Sequence, residues 1–161
     1  TNNFLLKKQN ITLIEYAVYF GSNQIFNYLR KNGAELDSWL WLYAVHGQNP
    51  EIINFLEENK TMSSKNDKIS FEKVFYESIK CHHIDVSNYI QNNYLQNKNE
   101  YSEYTLYNSL KYYNFMLIQS NIDNEASFCY LSKYDYYLPV FILRKNINID
   151  INKKIVYMVI F

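Results

Sequence analysis

The feature that most constrains this chain is that it repeats itself. Slid by 27 positions, "EYAVYFGSNQIFNYLRKN" falls on "LYAVHGQNPEIINFLEEN" without a gap, placing Tyr16 on Tyr43, Ala17 on Ala44, Val18 on Val45, Ile25 on Ile52, Leu29 on Leu56 and Asn32 on Asn59. A further shift of 34 brings Asn88, Tyr89, Ile90 and Asn93 onto Asn54, Phe55, Leu56 and Asn59. Self-similarity at a period of about 20–50 residues marks an array in which each unit is one supersecondary element. Whatever one copy folds into, its neighbours must fold into as well.

Each copy reads as helix, tight turn, helix, loop. Ile52, Ile53, Phe55 and Leu56 recur at helical spacing, so one face of that helix is apolar. Gly21-Ser22-Asn23 and Gly47-Gln48-Asn49-Pro50 interrupt the apolar pattern between helices, and Pro50 suits the first turn of the helix it opens. The second helices close at Asn32, Asn59, Asn93, Asn121 and Asn146. Asn is, after Gly, the residue that best tolerates the left-handed conformation, so these positions are expected to adopt it.

One pair of helices this short cannot bury its own apolar face, whereas stacked pairs can. The expected fold class is therefore all-α, a solenoid of stacked antiparallel helix pairs with about five units and a partial sixth. Its units lie near 11–36, 37–62, 70–97, 102–122, 125–150 and 151–161, a single array over residues 1–161. The fourth matches the third through Leu110 and Lys111 but has a short second helix, while the fifth places Phe128 on Phe75 and Lys133 on Lys80. Terminal repeats ordinarily carry a polar outer face, and the last residues, "IVYMVIF", have none. A piece of a longer array is expected.

At the first copy these residues resemble an ankyrin repeat. Thr12 to Val18 stand where that family has its Thr-Pro-Leu-His-x-Ala-Ala opening, Gly21 stands at its inter-helix glycine, and "IFNYL" with "NGAE" stand at its second helix and Gly-Ala-Asp ending. The chain is similar to the divergent ankyrin-like repeats of parasitic protist proteins. It departs from them in lacking the opening Pro, in carrying Glu15 for the opening His, and in the long loop Lys60 to Ser70. The resemblance implies an ankyrin-type solenoid that binds a partner protein along its first-helix and loop face, without catalysis and with no cofactor. Carried over by position, the first-helix ends present Tyr19, His46, Lys80, Lys111 and Lys133, followed by Phe20, Tyr112 and Tyr134 as aromatic neighbours. Such a strip of cations and aromatics suits a partner protein bearing carboxylates or rings. The aromatics serve equally well as packing between units, whereas the lysines are expected to be exposed.

Composition narrows the partners further. Sixteen Lys and Arg balance sixteen Asp and Glu, so there is no bulk positive field to hold a polyphosphate, and nucleic acid is not an expected partner. No apolar run reaches the roughly 20 residues that cross a bilayer, so no membrane insertion is expected. Cys81 and Cys129 are isolated and lack CxxC spacing, which fits a reducing, intracellular and cytoplasmic setting.

The cluster with most chemical potential is "KCHHID", Lys80 to Asp85. Cys81, His82 and His83 could ligate a metal or form a nucleophile pair, which defines an alternative from another class: an all-α metal-dependent or cysteine enzyme centred on these three residues. The alignment favours a solvated inter-helix turn over such a site, so no metal and no catalytic residue is expected, and no small-molecule substrate. Neither a P-loop nor GxGxxG, GxSxG or HExxH occurs. Glu57-Glu58 reads as a solvated helix end, and of Trp39 and Trp41, two apart, only one can face the core.

Overall fold

The first helix begins where its sequence provides a cap. Thr12 accepts the backbone N–H of Glu15, while the Glu15 carboxylate accepts the Thr12 N–H at 2.8 Å and its hydroxyl at 3.0 Å. This reciprocal box satisfies donors that the first turn of a helix leaves without partners. It also accounts for Glu15, which is only 2% exposed.

The computed structural model describes residues 10–62, 69–95, 101–114 and 133. All regular structure among them is helical: α1 (Leu13–Tyr19), α2 (Asn23–Lys31), α3 (Leu40–Gly47), α4 (Pro50–Glu58), α5 (Phe71–Lys80), α6 (Ile84–Tyr94) and α7 (Tyr101–Lys111). The chain is all-α over this range. It divides into two compact units, Thr1–Tyr101 and Ser102–Phe161. Tyr134, Cys129, Asn121, Asn146, the sixth sequence unit and all of the fifth except Lys133 lie outside the described residues.

In the first unit, α1 packs on α2, α3 on α4 and α5 on α6, while α1 also packs on α3 and α3 on α5. Helix α3 is thus the central element, and its sequence is apolar on every side: Leu40, Trp41, Leu42, Tyr43, Ala44 and Val45 are all buried. A helix of that kind belongs inside. Around it stand Val18, Phe26, Ile52, Leu56, Val74, Phe75 and Ile79, each at most 1% exposed. Trp41 is the packed tryptophan, its indole N–H donating to the Thr61 hydroxyl at 2.9 Å, and Trp39 is half-buried.

The turns carry the repeat into the backbone. After α1, Gly21 has φ +62° and the Ser22 N–H reaches back to the Ala17 carbonyl; after α5, His82 has φ +62° and the His83 N–H reaches the Ser78 carbonyl. After α7, Tyr113 has φ +59° and the Asn114 N–H reaches the Ser109 carbonyl. These are the same Schellman stop, a left-handed residue with a bond spanning the last helical turn. After α3 the left-handed residue is Gln48, at φ +48°.

At the far ends of the second helices the expectation for Asn is corrected. Asn32 and Asn59 have φ of −95° and −85°, and the left-handed residues are the following Gly33 and Lys60. The recurring Asn acts through its side chain instead. Asn32, Asn59 and Asn93 each donate an amide N–H to the carbonyl four residues back, at 2.7, 2.7 and 2.8 Å. At Tyr28 and Phe55 that bond adds a second donor to a carbonyl that already accepts the backbone N–H of the same Asn. Glu57 is also more than a solvated end: it accepts the hydroxyls of Tyr89 and Tyr94 from α6, tying α4 to the next pair.

Gly47 shows how closely the first two pairs meet. A Cβ there would lie 2.1 Å from the Val18 carbonyl oxygen and 2.8 Å from the Gly21 nitrogen, both backbone atoms. The Asn49 amide seals the contact by donating to the Gly21 carbonyl at 3.0 Å.

Candidate functional site

The ends of α1, α3 and α5 converge on one cavity of about 550 Å³, lined by Tyr19, Phe20, His46, Gly47, Glu77, Lys80, Cys81 and His83. The repeat places them there. Tyr19, His46 and Lys80 occupy the same register position of successive first helices, as do Phe20, Gly47 and Cys81. Glu77 precedes Cys81 by four residues, so the two share one face of the last turn of α5.

Inside the cavity the polar groups form one network. Glu77 Oε1 lies 3.1 Å from His46 Nε2, and the Lys80 ammonium donates to both Glu77 oxygens at 3.0 and 3.2 Å. Cys81 Sγ lies 3.5 Å from His46 Nδ1, 3.7 Å from its Nε2 and 3.8 Å from Glu77 Oε1. The Tyr19 ring stacks on the imidazole with centroids 4.8 Å apart. On the rim, His83 Nε2 meets the Gln48 side-chain nitrogen at 3.2 Å.

Burial sets the electrostatics, since the His46 and Glu77 side chains are only 11% and 14% exposed. For Glu77, burial alone would raise the carboxyl pKa, but hydrogen bonds from His46 and Lys80 and the charge of Lys80 outweigh it and hold the group below its ordinary value. Cys81 moves the opposite way: burial first, then the Glu77 carboxylate, pushes the thiol up to about 12. His83 is lowered by burial and by the neighbouring His46 and His82.

This arrangement is poorly set for nucleophilic catalysis. An activated cysteine needs a lowered pKa and a base aligned on the sulfur. Here the sulfur is nearly equidistant from both imidazole nitrogens and faces a carboxylate that favours the protonated thiol.

The predicted site residues separate into distinct groups. Tyr19, Phe20, His46 and Lys80 come together at the cavity, with Tyr19 7% and Phe20 56% exposed. Lys80 is a third exposed, its ammonium held on Glu77. In the second unit, exposed Lys111 sits 5.4 Å from the Tyr112 ring and 5.7 Å from the Tyr107 ring, and Lys133 lies 5.6 Å from the Tyr107 ring. The "KCHHID" turn is only partly solvated. His82 is exposed, whereas Cys81 and His83 are half-buried, and the imidazole beside Cys81 belongs to His46 in the preceding pair. Glu77 went unrecognised from sequence. Its signal was the four-residue spacing to Cys81, which gains meaning once α3 is known to supply His46.

Among the described residues no helix is long and apolar enough to cross a membrane. Comparison with protein-family models, with curated proteins and with solved structures finds no match for this chain.

Proposed function

We propose that this chain is a protein-binding module, an ankyrin-type solenoid that receives a partner at the first-helix ends, around the cavity of Tyr19, Phe20, His46 and Lys80. The observation that carries the reading is the convergence of register-equivalent positions on one concave, partly exposed surface. Aromatic and cationic side chains side by side supply contact area and charge for a partner presenting carboxylates or rings. Phe20 is the anchor best placed to bury more surface on binding, because it is half exposed now.

The solenoid reading draws support from a contrast between the first two copies. Leu13, Tyr16 and Ile25 are 74, 53 and 55% exposed, yet their equivalents Leu40, Tyr43 and Ile52 are at most 1% exposed. The side chains are the same and the register is the same. What differs is that α1 and α2 cover α3 and α4, and stacking of like pairs is the defining contact of a quasi-one-dimensional array.

The test is affinity capture from native lysate followed by titration of the captured protein against variants. Phe20→Ala and Lys80→Glu are expected to weaken binding at least about tenfold, the range of an interface anchor; melting is unchanged in Phe20→Ala and falls in Lys80→Glu, which sets a second carboxylate against the buried Glu77. Binding unaffected by both substitutions would refute the assigned surface.

A further inference from the structure

We propose that His46, Glu77 and Cys81 form a zinc-class metal site that staples the second helix pair to the third. The three residues offer imidazole nitrogen, carboxylate oxygen and sulfur, all within 4.8 Å of one another. This donor set suits a borderline-soft divalent ion better than magnesium or calcium, which take oxygen alone.

Geometry carries the argument. Metal–ligand distances of about 2.3 Å to sulfur and about 2.0–2.2 Å to nitrogen and oxygen, at tetrahedral angles, separate sulfur from nitrogen by about 3.6 Å, nitrogen from oxygen by about 3.4 Å and sulfur from oxygen by about 3.6 Å. The corresponding separations here are 3.7, 3.1 and 3.8 Å. Shifts of a few tenths of an ångström, with a turn of the imidazole about its Cβ–Cγ bond, bring the donors onto one centre. The fourth vertex is left to solvent from the cavity that all three line.

The ligands also come from two elements, so a bound ion would cross-link them. His46 belongs to the last turn of α3, while Glu77 and Cys81 lie four apart at the end of α5. Two costs oppose binding. The thiol must give its proton to the buffer as the metal–sulfur bond forms, so one proton is released per ion from this residue. Lys80 must leave Glu77, and its side chain, already a third exposed, has solvent to move into. The Tyr19 ring stacked on His46 limits the imidazole to a small turn about its Cβ–Cγ bond.

The experiment is titration of the untagged full chain with cobalt(II), a zinc surrogate with a visible spectrum, and then with zinc(II). One equivalent of cobalt is expected to give a tetrahedral absorption pattern with a thiolate-to-metal charge-transfer band, displaced by zinc, and zinc is expected to raise the melting temperature. The charge-transfer band is lost in Cys81→Ser. Affinity falls at least about tenfold in Glu77→Gln and His46→Gln, since even groups that only hydrogen-bond to a metal's ligands are worth about 10–100-fold. His82→Ala binds as the parent does, because that side chain is exposed outside the cluster. No binding up to millimolar cobalt, an octahedral spectrum without the thiolate band, or stoichiometric binding that survives Cys81→Ser would each overturn the site. The parent titration decides even if a variant fails to fold.

Discussion

Gly47→Ala is the sharpest perturbation of the stack, because it adds one methyl group where two backbones touch. The new Cβ would lie 2.1 Å from the Val18 oxygen, 2.8 Å from the Gly21 nitrogen and 3.1 Å from its Cα, whereas ordinary contact begins at 3.4 Å. None of these atoms is the mobile end of a side chain, so α1 and α3 must part by about 1 Å, an overpacking that costs about 1–3 kcal/mol. Parting also breaks the 3.0 Å bond from Asn49 to the Gly21 carbonyl, worth about 1 kcal/mol. Against this, Ala has better helix propensity than Gly by up to about 1 kcal/mol, less at a helix end. The net loss is about 1–4 kcal/mol. Urea melts followed by tryptophan fluorescence report on this unit, since both tryptophans, Trp39 and Trp41, belong to it. Gly33→Ala is the control: its Cβ meets nothing within 4 Å, and only the positive φ penalises it, by about 1–2 kcal/mol. An unchanged or raised midpoint in Gly47→Ala, or a larger loss in Gly33→Ala, would refute the reasoning.

Leu56→Ala, at a site with no exposure, is expected to cost about 2–5 kcal/mol in the same melts; Leu29→Ala, its half-buried register equivalent, should cost less. His82→Gly relieves a left-handed residue at φ +62° and, after the entropy that glycine adds to the unfolded chain, should raise stability by up to about 1 kcal/mol. Alkaline melts test Cys81, whose thiol is raised from 9.0 to about 12 by burial and then by Glu77. A raised folded pKa contributes stability that is whole below the unfolded value and lost as pH rises through the folded one, so stability should fall between pH 9.0 and about 12. Cys81→Ser melts should show a shallower decline over that window.

The helix pairs were legible because the repeat writes them several times. Any one copy, such as Ile84 to Tyr94 with its mixed polar and aromatic residues, is a weak helical signal, but register with Pro50–Glu58 makes it a strong one. The role of Asn was misplaced for a physical reason. Asn can close a helix either by adopting positive φ or by donating its amide to the carbonyl four residues back, and a sequence shows the residue without showing which it does. The bonds of Asn32, Asn59 and Asn93 are of the second kind. Lys60 takes the left-handed conformation beside Asn59, at a position where composition gives no hint of it.

The cavity was half legible for a related reason. Repetition predicts which positions share a face, so Tyr19, His46 and Lys80 could be placed in one strip from their register alone. It does not predict what lies between neighbouring rows of that strip. Glu77 is register-equivalent to Tyr16 and Tyr43, and in the first copy that position is 53% exposed while in the second it is 1% exposed. A carboxylate at a position otherwise held by tyrosine could be solvated or confined, and the outcome depends on whether the preceding pair supplies a donor within reach. His46 does so at 3.1 Å, and Lys80 then completes the neutralisation from the same helix. Departing from the first copy at three neighbouring positions, Glu77 for Tyr16, Lys80 for Tyr19 and Cys81 for Phe20, therefore has one joint consequence. The end of α5 brings a carboxylate, an ammonium and a thiol to the cavity that His46 lines.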